Sequence, residues 1–231
     1  SIVDDIDVVG APTFRNQITT DVARITMVGP VQVRWEATDN GQPTLGVDYG
    51  RLLIESTEPN ASIPLVVGGE EISLTMSEPD SLVAIGVMYF RAPGLNPLDA
   101  ENRIPVTGVM LVKGAATVES EAGEQVLAFG EERRRRGTAD PEISSVNQMP
   151  DWIDPEDSQF DESTRKSLLS LLEGEQRLEM QLREATMFRR SEVAALAGRT
   201  MLSIGQPDVY FGGDGLFNEP RQRSYWKAHF D

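Results

Sequence analysis

Between residues 23 and 132 the sequence repeats one device: a short β-branched run in which apolar and polar side chains alternate, closed by Gly, Pro, Asn or Asp. A period of two puts the apolar side chains on one face of an extended chain, so each run reads as a half-buried strand. Val31, Val33 and Trp35 alternate with Gln32 and Arg34 ahead of Thr38-Asp39-Asn40-Gly41, a turn whose Asn-Gly accepts positive φ. Residues 50–55, 63–67 before Gly68-Gly69, 72–76 and 82–90 follow in the same manner. Residues 106–112 and 116–119 flank Lys113-Gly114, and 126–129 close the series. Strands recurring about every ten residues, with no helical pattern between them, predict an antiparallel β-sandwich or a β-solenoid-like stack rather than a parallel α/β sheet.

The pattern changes after residue 132. Residues 133–160 run from Arg133-Arg134-Arg135-Arg136 through Pro, Ser and Asn into an acidic tract, and read as a linker in which Trp152-Ile153 is placed to staple it onto one of the modules. Beyond it the apolar period becomes 3.6: Leu168, Leu169, Leu171 and Leu172 follow a cap at Asp161 or Ser163. A second helix is expected near residues 175–188, and Ser191 caps a third that Gly205 and Pro207 end. Pro220 opens a fourth. The organisation expected is a β-rich module (residues 1–132), a linker (133–160) and a small antiparallel helical bundle (161–231), α+β in sequence order.

Composition narrows the chemistry. Of 231 residues, 39% are hydrophobic and 25% charged, which is ordinary for a folded chain with a core and no cross-links. With 37 acidic against 21 basic residues the net charge of −16 opposes binding to nucleic acid or anionic lipid, so a neutral or basic partner is expected; the partner expected is a protein, and nucleic acid is not. No run approaches the roughly eighteen apolar residues of a spanning helix, so any membrane anchor is expected beyond the ends of this sequence. Cysteine is absent, which excludes thiolate metal sites, thiol catalysis and disulfides.

A Ser-His-Asp set needs an imidazole held by a rigid platform, and the single histidine, His229, stands two residues from the end beside Trp226 and Phe230. The common hydrolase and nucleotide motifs are missing, so no catalytic residue and no cofactor is assigned. Asp154, Glu156, Asp157 and Asp161 belong to a tract with no basic residue, of the oxygen-rich kind calcium takes, although a solvated linker explains the same charges. Paired carboxylates for glycoside hydrolysis stay open, because their separation is spatial. Arg133 to Arg136 read as an anion site, a protease-sensitive site or, more plainly, a strand end entering an exposed loop. Tyr210, Phe211, Asp214, Tyr225 and Trp226, around the glycine-rich string of residues 208–217, are the candidate partner-binding residues, since aromatics bring large contact area at little entropic cost.

Tyr49-Gly50-Arg51-Leu52-Leu53-Ile54, Asp80-Ser81-Leu82-Val83-Ala84-Ile85, residues 109–118 and Ala122-Gly123-Glu124-Gln125-Val126 together resemble the FecR-like domain, over about residues 25–132. Residues 182–185, 189–193 and 208–215 look like the segment that follows such domains in planctomycete-type envelope proteins. The resemblance implies the extracytoplasmic, membrane-anchored part of an anti-sigma regulator that senses a partner without catalysis. A calcium- or carbohydrate-binding module, or a carboxylate-based glycosidase, is the competing expectation from the acidic clusters.

Overall fold

The computed structural model describes residues 6–10, 14–37, 43–91 and 103–154. The chain divides into two compact units, residues 1–90 with 103–157 and residues 91–102 with 158–231.

The first unit is built on one 12-stranded sheet, curled into a half-barrel. Its strands are β1 (Ile6–Gly10), β2 (Arg15–Thr19), β3 (Ala23–Ala37), β4 (Pro43–Ser56), β5 (Ala61–Val67), β6 (Glu70–Met76), β7 (Leu82–Arg91), β8 (Arg103–Lys113), β9 (Ala116–Ser120), β10 (Gly123–Leu127), β11 (Glu131–Arg136) and β12 (Glu142–Ser145). The order is β10-β9-β6-β5-β4-β7-β8-β11-β12, with β3 on the other edge of β4 and β1 and β2 on β3.

The long strand β4 organises the sheet. Along one edge it pairs with β3 for most of its length. Along the other, Leu45 to Val47 pair in parallel with β5, and Gly50 to Glu55 pair antiparallel with β7. The sheet therefore forks at the Asp48–Gly50 step, where the β3–β4 register also shifts. Bulges bend a strand and sharpen its twist, and here the bend sends two arms, β5-β6-β9-β10 and β7-β8-β11-β12, curling towards each other. Gly50 sits at the crotch with φ +102°, and a Cβ there would meet the Pro30 carbonyl oxygen and Val31 Cα. Only glycine lets β3 and β4 approach this closely.

Alternation places the core. Ile72, Leu74 and Met76 of β6, Ile63, Leu65 and Val67 of β5, Val83, Ile85 and Val87 of β7, and Val109 and Leu111 of β8 all face inward into one continuous cluster. Each aliphatic side chain fully removed from water there contributes about 1.5–3 kcal/mol. A smaller second cluster lies on the outer face: Val28, Leu53, Ala84 and Met110, with Leu82 and Val112, covered by Val146, Met149, Trp152 and Ile153. Those covering residues form a strap, residues 146–154, that ends in a 3₁₀ turn (Asp151–Ile153).

Two expectations are corrected. The β-region is neither a two-sheet sandwich nor a solenoid but a single forked and curled sheet, because β4 belongs to both arms. The fold class of an all-β module followed by a helical bundle is not what is found: the described residues are all β apart from the 3₁₀ turn, and no α-helix occurs among them. The residues on which the bundle was expected, 161–231, lie outside the described residues. Part of the stretch read as a linker is built into this unit, as β11, β12 and the strap.

Candidate functional site

The feature with the most chemistry is β11, Glu131-Glu132-Arg133-Arg134-Arg135-Arg136. It pairs with β8 on one side and β12 on the other, so its arginines stand on a fixed ladder. Alternation turns Arg133 and Arg135 inward and Arg134 and Arg136 outward. The Arg133 side chain is only 1% exposed. Its Nη1 and Nη2 donate to the two carboxylate oxygens of Glu70 at 3.0 and 2.6 Å, a bidentate fork. Its Nε donates to Gln125 Oε1 at 2.6 Å, and Nη2 also to Ser120 Oγ at 3.1 Å. One guanidinium thus ties β11, near one end of the sheet order, to β6, β9 and β10 at the other. The arms are joined by side chains where no backbone ladder joins them, and the planar fork of Arg suits that task.

Arg135 lies beside the clasp, with Nη1 3.7 Å from Glu70 Oε2 and Nε donating to the Ala139 carbonyl at 3.0 Å. Outside, Arg134 pairs with Glu132 at 2.9 Å in the open, a pair of little energetic weight. Arg136 stacks 4.9 Å above the Phe90 ring. The arginine run is therefore a doubly paired strand rather than the end of one. Trypsin needs an extended, unpaired substrate, so it is expected to leave residues 133–136 uncut while the sheet is folded. Mass mapping of a limited digest checks this, and early cleavage after any of the four arginines would contradict it.

Above the clasp is a polar cleft of about 460 Å³ between three turns, lined by Glu70, Glu71, Glu121, Arg135 and Asp140 among others. Its carboxylates offer acceptors to a polyol or a cation. Among the described residues, however, no group of three His, Cys, Asp or Glu side chains is arranged to hold a metal ion. At the bulged step of β4, Asp48 pairs with Arg34 at 3.1 Å. The phenol of Tyr89 is pushed above its ordinary range, first by burial and then by the Asp48 carboxylate, with Arg103 opposing.

The outer face carries the second feature. On β7, Leu82, Ala84, Gly86, Met88 and Phe90 share that face. Ala84 is buried under the strap, whereas Met88 and Phe90 are 61% and 42% exposed. Arg15 donates to the carbonyls of Trp152, at 2.8 Å, and of Asp154, and Arg51 lies 5.5 Å from the Trp152 ring centre. Trp152 and Ile153 do staple the chain, onto the outer face of the β-unit.

Of the residues proposed from sequence, Asp154 is exposed at the end of the 3₁₀ turn. Glu156, Asp157 and Asp161, the aromatic set Tyr210, Phe211, Tyr225 and Trp226 with Asp214, and His229 lie outside the described residues. Sequence reasoning did not find Glu70, Ser120 and Gln125 as partners of Arg133. They stand 63, 13 and 8 positions away from it, and no local pattern links them.

Fold and site together define an all-β module built on one forked sheet and closed by a buried arginine clasp. No protein-family model matches the chain, and no curated protein matches its sequence. Among solved structures it is similar to two crystal structures from Parabacteroides distasonis ATCC 8503, at 2.50 and 1.65 Å resolution, each of a provisionally described anti-sigma factor. Identities are 9% and 8%, covering 62% and 61% of this chain and 60% of each of those, with TM-scores of 0.41 and 0.42. The chain thus spans about 60% of the length of those proteins.

Proposed function

We propose that this chain is a non-catalytic regulatory protein whose β-unit docks a protein partner, the finer reading being a FecR-like sensor of the cell envelope, anchored outside the cytoplasm. One observation carries the docking role. Met88 and Phe90 stand exposed side by side on the outer face of β7, with Arg136 stacked on Phe90, while the inner face is filled by the unit's own side chains. Methionine, aromatic and arginine side chains are the types enriched where proteins bind proteins. The finer reading and the location rest on the sequence resemblance.

A photo-crosslinking residue at position 88 of the whole chain tests this in its native cells. The expected result is a discrete adduct with one protein that Phe90→Asp abolishes. Absence of any adduct from position 88 or 90 would overturn the docking role.

A second reading, carbohydrate binding or hydrolysis, is favoured by the carboxylate-lined cleft. It predicts saturable oligosaccharide binding that falls when Glu71 and Glu121 are changed to Gln, and calorimetry with the whole chain distinguishes the two.

A further inference from the structure

The strap and the sheet beneath it are built very unequally. The inner cluster joins side chains from eight of the twelve strands, β3 to β10, with most members fully buried. The outer cluster holds four buried residues, Val28, Leu53, Ala84 and Met110, and every strap residue packed on them is only half-buried. The strap's backbone contributes no ladder. Val146 N–H donates to the Gly130 carbonyl at 2.7 Å, and the N–H groups of Ile153 and Asp154 donate within the strap's own turn. From the sheet it is held by, among others, the Arg15 side chain on two carbonyls and Arg51 over Trp152. These contacts can break without undoing one strand pairing. Segments with few buried apolar contacts open well below the free energy of global unfolding.

What the strap covers is also more than filler. Leu82 and Ala84 lie beneath it, and the same face of β7 runs on, past Gly86, to the exposed Met88 and Phe90. Lifting the strap would extend that exposed pair into a continuous apolar stripe across β3, β4, β7 and β8. The occupant the stripe accepts is already displayed by the chain itself: an extended segment with apolar side chains spaced as Val146, Met149, Trp152 and Ile153, and backbone carbonyls within reach of Arg15.

We infer that residues 146–154 form a displaceable latch, which leaves the outer face as a unit while the sheet stays folded and exposes a docking stripe for an extended apolar segment of a protein partner. This deepens the docking role proposed above, and its test needs no partner, so the two can fail separately.

Hydrogen exchange on the whole chain reads the opening directly. The amides of Val146, Ile153 and Asp154 are expected to exchange at least about 100-fold faster than those of Ile54 and Ile85 in the core strands. Exchange of both sets at one common rate would overturn the latch. A synthetic peptide of residues 145–154 then probes the stripe. It is expected to bind the whole chain carrying Trp152→Ala and Ile153→Ala at least about tenfold more tightly than the parent, whose own strap competes, and Ala84→Arg should abolish that binding. A peptide that binds neither form would overturn the docking stripe even if the strap opens. Circular dichroism of each variant shows whether the sheet has stayed folded.

Discussion

Replacing Arg133 with alanine is expected to lower the stability of the β-unit by about 3–5 kcal/mol, a loss read as an earlier midpoint in urea. The Glu70 side chain is only 10% exposed, and without the guanidinium it keeps, among the described residues, Arg135 at 3.7 Å as its cation. Gln125 and Ser120 lose their shared donor at the same moment. Breaking one side of a buried pair costs more than the pair contributes, because the remaining charge has been taken from water. The matched control is Arg133→Met with Glu70→Leu, which removes both charges and keeps apolar volume. It should recover most of the loss. Arg133→Lys should fall between, since an ammonium cannot reproduce the fork and reach Gln125 as well. If Arg133→Ala unfolds within about 1 kcal/mol of the parent, the clasp is not what joins the arms.

Gly50→Ala should be nearly as damaging, by about 2–5 kcal/mol, for a reason that involves no lost contact. A methyl group at this position, with φ at +102°, would fall on the Pro30 carbonyl oxygen and lie 2.5 Å from Val31 Cα, both backbone atoms that cannot step aside singly. The cost combines a backbone conformation that L-residues rarely adopt with a clash at the point where the sheet forks. Gly69→Ala is the useful contrast. Its φ is +86°, but nothing lies within 4 Å of the added carbon, so only the conformational part of the penalty applies. Thermal melts of the two variants separate the terms. Equal losses would mean that the close approach of β3 and β4 is not what requires glycine.

The Gly50-Arg51 pair also shows how far local sequence could be read. It stood out as part of a strand, and that is where it lies. What the flanking residues could not show is that β4 changes partner there, from β5 to β7. Strands expected at residues 63–67, 72–76, 82–90, 106–112 and 116–119 fall within β5 to β9, and the Lys113-Gly114 turn is present, with Gly114 at φ +81°. The last expected run, 126–129, is displaced: β10 covers Gly123–Leu127, and Phe129 stands 72% exposed in the turn beyond it. β1, β2 and β12 were not anticipated, and β11 only as a strand end entering an exposed loop, since none carries a clean alternation of apolar residues. For β11 the reason is instructive. Six charged residues in a row argue for solvent, and only the distant Glu70 makes an inward arginine tolerable.

The sequence by itself determined where most strands run, which of their side chains face the core, and where glycine must turn the chain, because those depend on neighbours one to four positions away. Only the tertiary structure decided that the strands form one forked sheet, that its arms close on a buried arginine, and that a supposed linker straps the outer face. Each of those is a pairing between residues remote along the chain, and alternation of polar and apolar side chains is equally satisfied by any architecture that buries one face of every strand.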